Sequence, residues 1–383
     1  MEFREAIERD AQDLQALADR IADGIDLRRD LAGCGNDYPE QERRLEAAAM
    51  RLRRTWLARA HRPADAMLKS PRHGKTARLP GGEPVQFGYE RELDVSLLER
   101  RGEAYLTPPA GWSGDLVLCR SGQSALACFL QFAVSRWGET RALRVAHAGA
   151  YFETATLLAS WPQRVLRVEP TCPDATVDVL VVEPVWCDGL FGRPGRVPKA
   201  RHAVLIDTTM SGPGYDIAAH LPGDGTECGL VIAYSSGLKL DQAGLELANV
   251  GIVRILARDG RENAAKAAAA LRHIRDITGS GLTLDELSAL SAPWFMDRGY
   301  VDRYTAAIFA NNRALAACVG TQSAIFASPC HPSLLAADAD APFCALQLSG
   351  ASADDHRRLA GIVEGEIERR GLLATCGGSF GFR

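Results

Sequence analysis

Lysine is scarce in this chain. Of 44 lysines and arginines only five are lysine, namely Lys69, Lys75, Lys199, Lys239 and Lys266, so arginine carries the surface charge. No apolar run approaches the length of about 20 residues that spans a bilayer. The start, Met1-Glu2-Phe3-Arg4-Glu5, is charged and lacks a secretory signal's apolar stretch, so the expected location is cytoplasmic. None of the ten cysteines forms C-x-x-C, and most sit in apolar runs such as Leu116-Val117-Leu118-Cys119 and Ala127-Cys128-Phe129. Buried free thiols behave as small hydrophobes. Cys and His are scattered rather than clustered at ligand spacing, so no metal is expected. A net charge of -4 argues against a general nucleic-acid binder. No G-x-G-x-x-G appears at a strand-to-helix turn, which argues against a dinucleotide-binding oxidoreductase.

The composition itself is that of an ordinary globular protein. It is 46% hydrophobic and 24% charged over 383 residues, enough for two domains and a sizeable core. Residues 1–84 read as an N-terminal helical extension or arm. Apolar positions three and four apart recur in Glu5-Ala6-Ile7-Glu8-Arg9-Asp10, in Ala16-Leu17-Ala18-Asp19-Arg20-Ile21-Ala22 and across 42–59. A loop rich in Gly, Pro and basic residues follows at 71–84. The arm is expected to pack on a partner subunit.

Residues 85–285 read as a large α/β domain. Apolar runs at 115–119, 143–146, 165–168, 177–182, 203–206, 229–233 and 250–255 alternate with helical stretches at 124–135, 153–161 and 263–275. Such strands imply a mostly parallel sheet covered on both faces. Residues 286–383 read as a smaller C-terminal α+β domain, with a strand at Phe343-Cys344-Ala345-Leu346-Gln347-Leu348 and a helix over 353–370.

In an open parallel sheet, ligands bind beyond the carboxyl ends of the strands. The first of these ends carries Arg120-Ser121-Gly122-Gln123-Ser124, a small-residue turn opening a helix. The N–H groups of Gly122 and Gln123 fit a phosphate there, and an N-capping serine explains the same letters. His147-Ala148-Gly149-Ala150-Tyr151 follows another strand, and Tyr151 suits either a flat ligand or plain packing. Asp207-Thr208-Thr209 follows a third, where Asp207 is a helix cap, a metal ligand or the partner of a protonated pyridine nitrogen. Ser235-Ser236-Gly237-Leu238-Lys239 follows a fourth. A lysine just past a buried strand, in a chain that otherwise uses arginine, suits an amine that must lose its proton. The corresponding chemistry is a Schiff base with an aldehyde, commonly pyridoxal phosphate, and the alternative is a lysine snorkelling at a strand end.

The order of these segments resembles that of fold-type I pyridoxal-phosphate enzymes. It is most similar to the Cys/Met-metabolism family of cystathionine γ-synthases and γ-lyases. Tyr89-Glu90-Arg91 resembles that family's Tyr-x-Arg, about thirty residues before its phosphate turn, here Ser121-Gly122-Gln123-Ser124-Ala125. Tyr151-Phe152-Glu153-Thr154 resembles Y-G-G-T, Asp207-Thr208-Thr209 resembles D-N-T, and Ser236-Gly237-Leu238-Lys239 resembles S-A-T-K. Asp276-Ile277-Thr278-Gly279-Ser280-Gly281 is similar to the segment ahead of the family's long inter-domain helix, and Gly377-Gly378-Ser379 to its substrate-facing S-L-G-G. The resemblance covers residues 85–383.

The resemblance implies a seven-stranded-type sheet and a bound pyridoxal 5'-phosphate. Lys239 would hold the aldehyde and move protons at Cα, and Asp207 would face the pyridine nitrogen. Gly122, Gln123 and Ser236 would bind the phosphate, with Thr209 near the phenolic oxygen. Tyr151 would stack on the ring and act as acid or base. Tyr89 and Arg91 would reach the phosphate of a neighbouring subunit, which implies a homodimer, or a homotetramer of such dimers. Ser379 and Arg383 would face the substrate, Arg383 taking its carboxylate.

The implied reaction is elimination or replacement of a γ- or β-substituent of an amino acid, through a vinylglycine-type quinonoid state. Replacement would add a second, nucleophilic substrate. The family's threonine before the lysine is Leu238 here, its turn methionine is Gln123, and its E-x-P-x-N-P is Glu183-Pro184-Val185-Trp186-Cys187 without the asparagine. These departures suggest a divergent member, in specialised metabolism. The competing readings are an aminotransferase, a decarboxylase with His147 over the ring, and a non-catalytic protein that keeps the fold.

Overall fold

The computed structural model describes residues 3–21, 26–35, 37–65, 67–71, 76–170, 175–185, 197–223, 227–322, 325–326, 330–336 and 339–374. Three helices open the chain, α1 (Phe3–Arg20), α2 (Leu27–Ala32) and α3 (Tyr38–Asp65). Leu17, Ile21, Leu27, Leu52, Trp56 and Ala60 are buried along them. Their apolar face is buried within their own chain. It meets Leu245, Leu247, Ala289, Trp294 and Tyr300 of the same chain in one core. Trp56 Nε1 donates to Ala289 O at 2.7 Å, which anchors α3 within that core.

The stretch read as loop contains a hairpin, β1 (Thr76–Arg78) against β2 (Pro84–Gln86). Only Ala77 and Val85 point inward, too few positions to show a period in the sequence. Helix α4 (Ser96–Gly102) leads into the large domain.

The domain is built by β3 (Trp112–Cys119), α5 (Gly122–Trp137), β4 (Leu143–Ala148), α6 (Phe152–Ala159), β5 (Val165–Val168), β6 (Thr176–Val182), β7 (Lys199–Asp207), β8 (Leu230–Ser236), β9 (Gly251–Arg258) and α7 (Ala264–Thr278). The seven strands lie in the order β3-β9-β8-β7-β6-β4-β5, and β9 alone runs antiparallel to its neighbours. Alternate residues serve opposite faces. Val117, Val145, Val179, Leu205, Ile232 and Val253 pack under Phe129, Leu130 and Leu158 of α5 and α6 and Leu271 of α7. On the other face Leu180, Val204, Ile206 and Val231 pack on Ile217, and Leu118 and Ile252 pack on Leu98, Leu287 and Phe295. Both faces are therefore apolar, and the polar residues collect at the strand ends.

The helix ends follow capping rules. Asn263 caps α7, which stops at Gly279 in the left-handed conformation, φ 68°. Past α8 (Leu284–Leu290), α9 (Arg298–Gln322) and α10 (Ala353–Arg370) form the C-terminal part. Residues 343–348, read as a strand, form no strand. They contribute an isolated bridge, Leu348 to Phe326. An alternating apolar run becomes a strand only beside another strand, and among the described residues this one has a single paired position. No helix among the described residues is long and apolar enough to cross a membrane.

Candidate active site

Four chain segments converge at the carboxyl ends of the central strands. The first is the start of α5. Ser121 Oγ accepts the Ser124 N–H, and Ser124 Oγ accepts the Ser121 N–H, so a capping box closes the turn. The N–H groups of Gly122 and Gln123 remain, without a hydrogen bond among the described residues. A Cβ on Gly122 would meet Ser236 N at 3.1 Å, and one on Gly251 would meet Ser121 O at 2.1 Å. Helix start, β8 end and β9 start thus touch through backbone. The helix N–H groups at this junction suit an anion.

The second segment ends β7. Asp207 Oδ1 accepts the Thr209 N–H at 2.9 Å, and Thr209 Oγ1 accepts the Ser236 N–H at 3.0 Å. Thr209 therefore ties the acid to the end of β8. Burial pushes the Asp207 carboxyl up to about 6, bonds from Thr209 oppose this, and the Glu183 charge adds to it. Tyr234, beside Asp207 in the register, is buried, and its hydroxyl is pushed upward by burial and by the Asp207 charge. Tyr234 Oη and Thr154 Oγ1 are buried without a hydrogen-bond partner of normal geometry.

The third is the turn between β4 and α6. Tyr151 precedes α6 and is 38% exposed, its ring touching Phe152 edge-on at 5.5 Å. Its hydroxyl is raised above the usual phenol range, first by burial and then by Glu153, with Asp207 and Glu183 adding. Glu183, just past β6, reaches under this turn. Its Oε2 accepts the N–H groups of Ala150 at 2.7 Å and Tyr151 at 3.0 Å, and its Oε1 lies 2.7 Å from His147 Nε2.

The fourth is the loop bearing Lys239. Burial holds the half-buried amine below the ordinary lysine range, against the opposing charges of Glu246 and Glu153. The loop is splinted from inside by the fully buried Gln242. Its amide donates to Gly237 O at 3.0 Å and Ala248 O at 2.7 Å, and accepts from Leu247 N at 2.6 Å and Ala248 N at 3.1 Å. A Cβ on Gly237 would lie 2.8 Å from Val250, so the turn before the lysine requires glycine. Arg53 of α3 donates to Leu245 O at 2.9 Å and Glu246 O at 3.1 Å, and Glu246 has φ 43°.

Gly122, Asp207, Thr209, Ser236 and Lys239 are therefore linked by backbone contact or hydrogen bonds, Gln123 follows Gly122 in the turn, and Tyr151 lies within electrostatic reach of Asp207. Tyr89 and Arg91 stand apart. Arg91 stacks over Tyr89 at 4.6 Å and donates to Ile277 O at 3.3 Å. Among the described residues no hydrogen bond, ion pair or ring contact joins either to Lys239, Asp207 or Tyr151. Ser379 and Arg383 lie outside the described residues. A cavity of about 840 Å³ between the 211–215 loop and α9 is lined by Tyr215, Arg298 and Phe309 and by none of the converging residues. Sequence reasoning missed Glu183, Gln242 and Arg53 as supports, since the partners of Glu183 and Arg53 lie on other elements and Gln242 splints an irregular loop with no periodic pattern.

No protein-family model matches the sequence, and no curated protein matches it. Solved structures do. CalE6, a methionine γ-lyase from Micromonospora echinospora, is similar at 19% identity over 85% of this chain and 86% of that one, with a TM-score of 0.50. Cystathionine γ-lyase from yeast is similar at 13% identity over 73% and 72%, with a TM-score of 0.45. An aromatic-amino-acid aminotransferase from Burkholderia pseudomallei, covalently bound to pyridoxal phosphate, is similar at 13% identity over 70% and 71%, with a TM-score of 0.41. The chain has the fold-type I architecture of pyridoxal-phosphate enzymes.

Proposed function

We propose that the chain is a pyridoxal-phosphate enzyme that takes the Cα proton from an amino acid and then eliminates or replaces a substituent at Cγ or Cβ. The observation that carries this reading is the placement of a partly buried acid and a half-buried amine at the ends of adjacent strands. Asp207 is pushed up to about 6 beside no described cation, and Lys239 is pulled below its ordinary range. A protonated pyridine nitrogen is the cation that would bring Asp207 back down, and an aldehyde is the group that needs a neutral amine. The free N–H groups of Gly122 and Gln123 suit the phosphate.

Pyridoxal phosphate would supply the aldehyde and a ring that takes up the charge left at Cα. The chain's residues do the rest. Gly122 and Gln123 hold the phosphate by N–H donation, with Ser236 beside them. Asp207 keeps the ring nitrogen protonated. Thr209 accepts the Ser236 N–H and gives its hydroxyl proton to Asp207, so it would steady the acid beside the phenolic oxygen. Lys239, deprotonated more readily than a solvated lysine, removes the proton at Cα and returns it. Tyr151 covers the ring. Its hydroxyl stays protonated because burial and Glu153 raise it, so it acts as an acid toward the departing group. Tyr89 and Arg91 would reach the phosphate of a partner subunit in a homodimer or a tetramer of dimers, Ser379 would face the substrate, and Arg383 would take its carboxylate.

Product analysis tests the reaction. The holoenzyme is supplied in turn with amino acids bearing a γ-thioether, an O-acyl or a sulfonium group. Release of the substituent in step with a 2-oxo acid and ammonia, or its exchange for an added thiol, supports the reading. Conversion of the bound cofactor to pyridoxamine phosphate with the substituent retained would mean an aminotransferase instead.

A further inference from the structure

We propose that Glu183 is a positioning residue: its buried carboxylate, braced by His147 and seated over Gly149, fixes the turn that carries Tyr151. The proposal rests on the reading above for the role of the Tyr151 ring, and on this chain's own geometry for everything else.

β4 and β6 are parallel neighbours, with His147 opposite Val181 and Ala148 opposite Val182. The Glu183 N–H extends this pairing by one bond, to Ala148 O at 3.1 Å. There the strands part, and the side chain takes over. Oε2 accepts two consecutive N–H groups, Ala150 at 2.7 Å and Tyr151 at 3.0 Å. Oε1 lies 2.7 Å from His147 Nε2, which donates when its proton is on that nitrogen. The Glu183 and His147 side chains are 9% and 7% exposed, so all three bonds are made away from solvent. A buried carboxylate is costly unless its lone pairs are filled. Both of these oxygens are used.

Gly149 supplies the room. A Cβ there would lie 2.2 Å from Glu183 Cδ and 2.3 Å from Oε2. Only glycine lets the carboxylate lie flat against the turn. Apart from a hydrogen bond to Glu153 at its hydroxyl, the Tyr151 ring touches Phe152, which is itself 69% exposed. The ring is therefore aimed by its backbone, and the backbone is held by Glu183. The arrangement also accounts for His147. It braces the carboxylate.

The test uses Glu183→Gln and Gly149→Ala, with Tyr151→Ala and Tyr151→Phe as references. Hydrogen exchange of the segment 149–152 is followed in protein free of pyridoxal phosphate. Pyridoxal phosphate affinity and the visible circular dichroism of the bound aldehyde are then measured. A lost charge-assisted bond predicts exchange about tenfold faster in Glu183→Gln and in Gly149→Ala. Affinity falls about tenfold and the dichroism drops to the level of Tyr151→Ala, while Tyr151→Phe keeps its signal. Glu183→Gln adds no further loss to Tyr151→Ala, because both act through one ring. Unchanged exchange in Glu183→Gln, or losses that add in the double variant, would overturn the proposal. A wild type that binds no pyridoxal phosphate would overturn the functional reading alone. The exchange rates would still decide whether Glu183 holds the turn.

Discussion

Asp207 ends a buried strand with its carboxyl bonded to Thr209 and no described cation in ion-pair contact. Its pKa is raised from 3.8 to about 6. The folded chain therefore holds a proton between those values that the unfolded chain has already lost. Stability of the cofactor-free protein is greatest below the lower value and falls as pH rises through the upper one, by about 3 kcal/mol for this group. Asp207→Asn is expected to melt higher than the cofactor-free wild type at pH 8 and no higher at pH 4, and to bind pyridoxal phosphate poorly. Melting temperature against pH checks this. Asp241, fully buried and pushed up to about 7 despite Arg254, has the same sign and keeps part of the slope in the variant. Gln242 makes the second residue-scale case. Gln242→Leu leaves two N–H and two C=O groups of the lysine loop unpaired, and is expected to cost about 4 kcal/mol in denaturant unfolding. Lys239, Asp207 and Tyr151 stood out in the sequence because each follows an apolar strand. Glu183 and His147 did not stand out as a pair, since they lie 36 residues apart and meet only because β4 and β6 are neighbours.

The helices were the most legible elements. The alanine-rich α7 and the charged α10 begin on Asn263 and Ser352 and end on glycines with positive φ, signals that are local and visible in one dimension. The buried strands were legible from their apolar runs. The pairing of 343–348 was not, because a strand depends on what lies beside it. The arm α1–α3 was legible as helix, and its docking on its own chain was not. That docking has a consequence for the site. α3 grips the loop beyond Lys239 through Arg53, where Glu246 is held at positive φ. Arg53→Ala is expected to cost about 2 kcal/mol and to speed hydrogen exchange across 243–247, with little change at β6 or β7. Exchange mapped by peptide distinguishes this local loosening from general destabilisation.

Across the whole molecule, the chain has a seven-stranded sheet with one antiparallel strand and is similar in fold to CalE6 at 19% identity. Fold was legible where sequence was not, because a doubly covered sheet asks only for apolar strands, caps and turns, and many sequences satisfy these. The reaction is set by fewer groups, some of them outside the described residues. Tyr89 and Arg91 make the whole-molecule prediction. Among the described residues they make no hydrogen bond, ion pair or ring contact with Lys239, and if they serve a neighbour's site in a shared-site dimer, Arg91→Ala and Lys239→Ala damage different subunits' contributions. Mixing the two inactive variants after mild dissociation is expected to restore about a quarter of wild-type activity, from the one intact site of each heterodimer. No recovery would place Tyr89 and Arg91 outside the site.

The central claim is that Lys239 holds an aldehyde cofactor. The direct test is to incubate the protein with pyridoxal phosphate, reduce it with borohydride, and map the modified peptide by mass. The account predicts one phosphopyridoxyl group, on Lys239, with Lys239→Ala unmodified. Modification spread over Lys69 and Lys266, or none at all, would contradict it.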